Sequence, residues 1–182
     1  WNGTAMNTGI NAVLPLTQPY TDPAFAYSGT ESVAAGFFAS HTNIVDWVLV
    51  DFRKPTSGNV ADANSSTAVG RKAAFLLNNG TIVDLDGVTP LSVELSKQGA
   101  GFMSIRHRNH LAIISNSLPS NSSGTFTNDF SLLTGVYDNP LLSNDPVQVL
   151  PGSVPTKYGL WAGNANKDNG VNNSDIGLIK AN

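Results

Sequence analysis

Between Gly163 and Asp175 the chain reads Gly-Asn-Ala-Asn-Lys-Asp-Asn-Gly-Val-Asn-Asn-Ser-Asp. With Asn164 as the first loop position, side-chain oxygens fall at positions one (Asn164), three (Asn166), five (Asp168), nine (Asn172) and twelve (Asp175). Gly170 stands at position seven, where a backbone carbonyl serves. This is the ligand spacing of an EF-hand calcium loop: a hard divalent cation takes six to eight oxygens, and alternate residues of a tight loop point inward to supply them. Val171 holds the apolar eighth position, and Ile176, Leu178 and Ile179 suit a short packed helix. Glycine is usual at position six, but Asn169 occupies it. Asparagine tolerates the left-handed conformation better than most residues, so the turn is retained. Only Asp168 and Asp175 of this set are charged, which predicts weak affinity, roughly 10⁻⁴ to 10⁻³ M. The expected cofactor is therefore Ca²⁺.

A second cluster of polar chemistry is Arg106-His107-Arg108-Asn109-His110. Read as part of a strand from Phe102 to Ser115, its alternation puts His107 and Asn109 on the apolar face of Met103, Ile105, Leu111 and Ile113. Arg106, Arg108 and His110 then face the other way. Buried polar groups need partners, because an unsatisfied one costs roughly 1–3 kcal/mol. A core network of His107 and Asn109 with Asp46 or Asp51 is the expectation. His41, His107 and His110 share no transition-metal spacing.

Catalytic signatures are lacking. No Gly-x-Ser-x-Gly elbow, His-Glu-x-x-His pair or glycine-rich phosphate loop occurs. The two glutamates, Glu31 and Glu94, leave a glycosidase pair to scattered aspartates. A protein that is not an enzyme is expected. Exposed aromatics offer a different chemistry, stacking on sugars; the candidates are Trp1, Tyr20, Tyr27, Tyr137, Tyr158 and Trp161.

The elements that must hold these residues read mostly as strands. Ile44 to Arg53 is β-branched and aromatic, lacks Gly and Pro, and is apolar on both faces, as expected of a central strand covered above and below. Ala73–Leu77, Asn78-Asn79-Gly80 and Thr81–Leu85 read as a hairpin. Leu91, Val93 and Leu95 alternate as a half-buried strand. Thr125–Leu133 is a further strand, and Leu14–Tyr20 and Val147–Leu150 are proline-flanked edge candidates. Glu31–Ser40 allows a helical turn or two, weakened by Gly36. The expected class is all-β: an antiparallel β-sandwich, Ig-like or jelly-roll-like, followed by a C-terminal EF-hand-like calcium loop. The expected boundaries are an N-terminal arm over 1–13, the sandwich over 14–160 and the calcium-binding tail over 161–182.

Composition narrows the setting. The chain has 182 residues, 13% charged, a net charge of −3 and no cysteine. One domain with a small appendage is expected at this length. The ten basic residues are scattered, which disfavours a nucleic-acid partner. No apolar run is long enough to insert in a membrane. Disulfides and thiolate sites are excluded. A start at Trp1 reads as a mature or excised piece of something longer.

Several stretches resemble the C-terminal, dockerin-like module of large secreted surface proteins that Gram-negative bacteria export by the type IX route. They are Leu14–Tyr20 (LPLTQPY), Tyr27–Val33 (YSGTESV), Val45–Arg53 (VDWVLVDFR), Ala73–Gly87 (AAFLLNNGTIVDLDG), Arg106–Ile113 (RHRNHLAI) and the terminal loop. They run in the family's order over most of the chain. Asp at loop position twelve is usual in dockerin-type loops. The family's tail often has a second loop, and this chain stops after one. The resemblance implies a secreted, cell-surface or matrix module, structural or adhesive, stabilised by calcium. Copies of itself or other surface proteins are the expected partners, as in a filament or matrix. Low charge permits dense contacts between copies, and the polar Asn2–Val13 segment suits pairing with a neighbour's sheet edge. The alternative is a carbohydrate-binding module of a secreted multidomain protein, with glycans as partners.

Overall fold

The fold is that of a computed structural model, which describes residues 1–119, 123–141 and 143–164. It is mostly β, with antiparallel sheets and little helix. The strands are β1 (Ile44–Arg53), β2 (Ala68–Leu77), β3 (Ile82–Val83), β4 (Phe102–His107), β5 (His110–Ile114), β6 (Gln148–Val149) and β7 (Tyr158–Gly159). The first five form one sheet in the order β3-β2-β1-β4-β5, and β6 and β7 form a two-stranded ribbon.

β1 is the central strand, and its two apolar faces each meet a core. On one side Trp47 and Leu49 pack with Phe75, Ala73 and Tyr20, all essentially inaccessible to solvent. On the other, Val48 and Val50 pack with Ala74, Ile105, Ile113, Val136 and Val147. A smaller cluster of Phe52, Val69 and Leu118 continues the second layer, with the Phe126 ring tilted against Phe52 at a centroid distance of 4.6 Å. The first layer is roofed by irregular chain from Leu14 to Phe38, including the one-turn helix α1 (Phe37–Ser40). Gly36 starts this helix in the left-handed conformation (φ +84°) instead of interrupting it.

Four expectations are corrected. Phe102–Ser115 is not one strand but the β4–β5 hairpin, folded at an Arg108–Asn109 turn. The alternation across that string therefore fails, and Arg108 reaches the same carboxylate as His107. Thr125–Leu133 and Leu91–Leu95 form no strand. Their apolar residues are still partly buried against the sheet: Leu91, Phe130 and Leu133 pack on the Val48 side, and Leu95 and Phe126 on Phe52. Side-chain alternation thus reports a half-buried extended segment, whether or not a ladder accompanies it. Leu14–Tyr20 makes only an abbreviated pairing, a Thr17–Ser32 bridge.

The N-terminal segment folds back on its own chain. The Met6 N–H donates to the Asn78 carbonyl (2.8 Å). Asn11 is buried and donates through Nδ2 to the carbonyls of His41 and Ile44, both at 3.0 Å. Both sheet margins are occupied as well. Val83 of β3 bridges to Pro90, and His110 of β5 bridges to Ala162.

Candidate functional site

The β4–β5 hairpin gathers the polar residues. A two-residue turn sets His107 against His110, and β1 brings Asp46 beneath them, beside a register shift between Ile44 and Asp46. Asp46 is buried. Its Oδ1 accepts the Trp47 N–H (2.7 Å), its Oδ2 lies 3.0 Å from His107 Nε2, and Arg108 Nη2 donates to both oxygens at 2.9 and 2.8 Å. Four contacts therefore satisfy one buried carboxylate.

The Asn109 N–H donates to His107 Nδ1 (3.1 Å). That nitrogen must present a lone pair, so Nε2 carries the proton that His107 donates to Asp46. His110 Nδ1 lies 2.8 Å from the same His107 Nδ1 and must supply the hydrogen between them. The order Asp46, His107, His110 is thus a hydrogen-bonded chain and not a ring of convergent ligands. Among the described residues, no three His, Asp or Glu side chains are grouped so as to hold a metal ion. Burial, reinforced by neighbouring His107 and opposed by Asp46, lowers the His110 pKa to about 4. Tyr20 closes the network from the roof and donates to the Trp47 carbonyl (2.7 Å). Burial, then the Asp46 charge, push its hydroxyl pKa well above the usual phenol range.

Asn109 enters this network through its backbone, since its side chain is exposed. Its carbonyl accepts the Gly163 N–H (2.9 Å), and the Trp161 carbonyl accepts the Leu111 N–H (2.9 Å). Residues 161–163 thus run beside β5 as a margin. Trp161 donates from Nε1 to the Asp145 carbonyl (3.0 Å), and Gln148 Nε2 donates to the Leu160 carbonyl (3.0 Å). Asn164, the first expected calcium ligand, follows this root and is buried. Asn166, Asp168, Gly170, Asn172 and Asp175 lie outside the described residues.

A second buried charge sits farther along β1. Asp51, with no solvent exposure, is held by Arg53 Nη2 (2.7 Å) and lies 3.6 Å from Arg71 Nε. The arginines reach onward to the covering loops. Arg53 donates to the Ala63 carbonyl, Arg71 to those of Ala26 and Ser65, and Arg106 to those of Ala24 and Phe25. These cations tie loops to the sheet, which leaves them engaged inside the molecule.

Asp46 and His107 are in direct contact, and the carboxylate at Asp51 joins a separate arginine group. Reading the sequence alone missed the parts played by Arg108 and His110. Their signal was the density of ionisable residues in one five-residue string, which a solvated strand face does not require. The chain matches no protein-family model, no curated protein and no solved structure.

Proposed function

We propose that this chain is a non-catalytic structural or adhesive module of the extracellular surface or matrix, built as a β-sandwich body with a dockerin-like calcium tail, and that it works alongside copies of itself or other surface proteins. In this reading it belongs with the C-terminal modules of type IX-exported surface proteins that its sequence resembles. The observation that carries the reading is the way the tail is rooted. Trp161 to Gly163 are hydrogen-bonded along β5, and Asn164 is buried at the point where the oxygen-rich segment begins. A flexible appendage needs no such root, whereas a loop that must hold a fixed direction does.

The donor set is consistent with the ion. Every side-chain donor is a neutral amide oxygen or a carboxylate, as a hard cation such as Ca²⁺ prefers, and no imidazole or thiolate is included. When bound, Ca²⁺ would cross-link the segment from Asn164 to Asp175. The engaged arginines support a structural role too, since cations committed to loop carbonyls are withheld from an anionic substrate or nucleic acid.

The test is calorimetric titration of the full chain with CaCl₂, beside Asp168→Ala. The expected result is millimolar or tighter binding that Asp168→Ala abolishes, with a Ca²⁺-dependent rise in Tm. Equal and negligible heats for both proteins overturn the calcium assignment. Light scattering at high concentration with Ca²⁺ tests association. A monodisperse monomer throughout overturns the self-assembling part of the reading.

A further inference from the structure

Six aromatic residues offered themselves for sugar contact, and their surroundings separate them. Tyr20 is fully buried, with its hydroxyl bonded to the Trp47 carbonyl. The Tyr27 hydroxyl is held by Glu31. Tyr158 packs into the core on the Val48 side. The indole N–H groups of Trp1 and Trp161 are pinned to the carbonyls of Pro151 and Asp145. Tyr137 differs: it is half-buried, it lines an open cleft of about 470 Å³, and its side chain makes no hydrogen bond or ring contact with the described residues.

This cleft lies where the turn after β1, the start of β4 and the exit of β5 meet, at the opposite end of the β4–β5 hairpin from the tail root. Its polar lining is preset by contacts outside it. Asn116 donates through Nδ2 to the carbonyls of Thr134 (3.0 Å) and Val136 (3.4 Å), which leaves its Oδ1 as an acceptor. Asn59 accepts the Ala61 N–H through Oδ1 (3.0 Å), which leaves its Nδ2 as a donor. Ser57 is fixed between Asp62 Oδ2 (2.6 Å) and the Asn59 N–H (3.1 Å). Tyr137 is itself anchored by its backbone N–H on the Ile114 carbonyl (2.8 Å).

We propose that this cleft binds a neutral saccharide, with Tyr137 as the stacking face and Asn59 and Asn116 as the amide donor and acceptor for vicinal hydroxyls. Three features select this ligand class. An aromatic face beside paired amides complements the apolar C–H face and hydroxyl rim of a pyranose. Among the described residues no Lys or Arg lines the cleft, and Ser57 ties the Asp62 carboxylate to its rim, so anionic ligands are disfavoured. Five of the lining residues, Ser57, Asn59, Asn116, Ser117 and Tyr137, carry amide or hydroxyl groups, for which a purely apolar guest has no partner. None of the expected calcium ligands is among its lining residues, so the proposal does not rest on the calcium assignment.

The test is ¹⁵N-edited NMR titration of the full chain with cellohexaose, laminarihexaose, mannohexaose and xylohexaose, and with a neutral high-mannose glycopeptide. The hexasaccharides and the glycopeptide distinguish a polysaccharide from a protein-borne glycan. The expected result is saturable shifts at Asn59, Asn116 and Tyr137 with at least one ligand, unchanged by EDTA. Tyr137→Ala should weaken binding about tenfold, Asn59→Ala should weaken it several-fold, and Trp1→Ala should leave it unaltered. Asn59 is exposed, so its variant decides the matter if Tyr137→Ala fails to fold. Absence of shifts at millimolar ligand, shifts mapping elsewhere, or equal binding of a sulfated analogue overturns the proposal.

Discussion

His107 and His110 face each other through their Nδ1 atoms at 2.8 Å, and a single hydrogen occupies the space between them. Because the Asn109 amide also points at His107 Nδ1, that hydrogen resides on His110. The lone pair left to take a further proton is therefore that of His110 Nε2.

Stability should therefore depend on pH through His110. Its folded pKa, about 4, lies below the ordinary 6.5. The unfolded chain binds the proton more readily, so stability is fully present above pH 6.5 and is lost as pH falls from there toward 4. Discounted for partial exposure, the loss is about 2 kcal/mol. Urea unfolding at pH 7 and pH 4.5 checks it: His110→Gln should flatten the difference relative to the wild type.

Asp46→Asn should destabilise the fold by about 3 kcal/mol, because it leaves Arg108 and a buried His107 without their shared carboxylate. Arg108 is the more exposed partner, so Arg108→Ala should cost less. A double-mutant cycle by chemical denaturation should give strong non-additivity between the two.

Asp51→Ala should be among the most damaging single changes, at about 3–5 kcal/mol, since Arg53 and Arg71 would lose their common counter-charge inside the molecule. The contrasting pair is Lys72 and Asp84, 2.7 Å apart but more exposed. Burial works against the ionised form of Asp84, yet the Lys72 hydrogen bond and the amides of Leu85 and Ser92 hold its pKa below the usual value. That contribution is present above pH 4 and fades at lower pH. Asp84→Asn should cost under about 1 kcal/mol at pH 7. Thermal melts of both variants test the contrast.

Gly101→Ala should destabilise by about 2 kcal/mol through crowding alone. A β-carbon there would lie 2.6 Å from the Arg53 carbonyl and 2.7 Å from the Phe52 ring, and the carbonyl belongs to the central strand. Gly58→Ala meets nothing within 4 Å, so it isolates the backbone effect of a left-handed glycine for comparison.

The parts of this architecture legible in the sequence are those with local punctuation. β1 is an unbroken β-branched and aromatic run with Pro55 just beyond it, and the structure gives the strand those limits, Ile44 to Arg53. The Asn78-Asn79-Gly80 turn is marked by a glycine that takes φ +90°. The β4–β5 turn carries no such mark. Neither Arg108 nor Asn109 adopts positive φ, so no glycine is needed, and Met103, Ile105, Leu111 and Ile113 keep the same alternation on both sides of the bend. The missed network follows from that, because Arg108 and His110 meet Asp46 and His107 only once the chain folds there. The cleft at Tyr137 was illegible for another reason: its four contributing segments are distant in sequence and meet only through the β1–β4–β5 order and the Tyr137 N–H bond to the Ile114 carbonyl.

The occupied margins of the five-stranded sheet constrain how molecules of this kind can gather. With Pro90 laid on one border and the stretch from Trp161 to Gly163 on the other, an arriving copy meets backbone that is already in use. Under the proposed self-association, cohesion between neighbours would then fall to side chains and bridging ions, which release one contact at a time. Such a material would be reversible, in contrast to the near-permanent fusion of stacked cross-β fibrils.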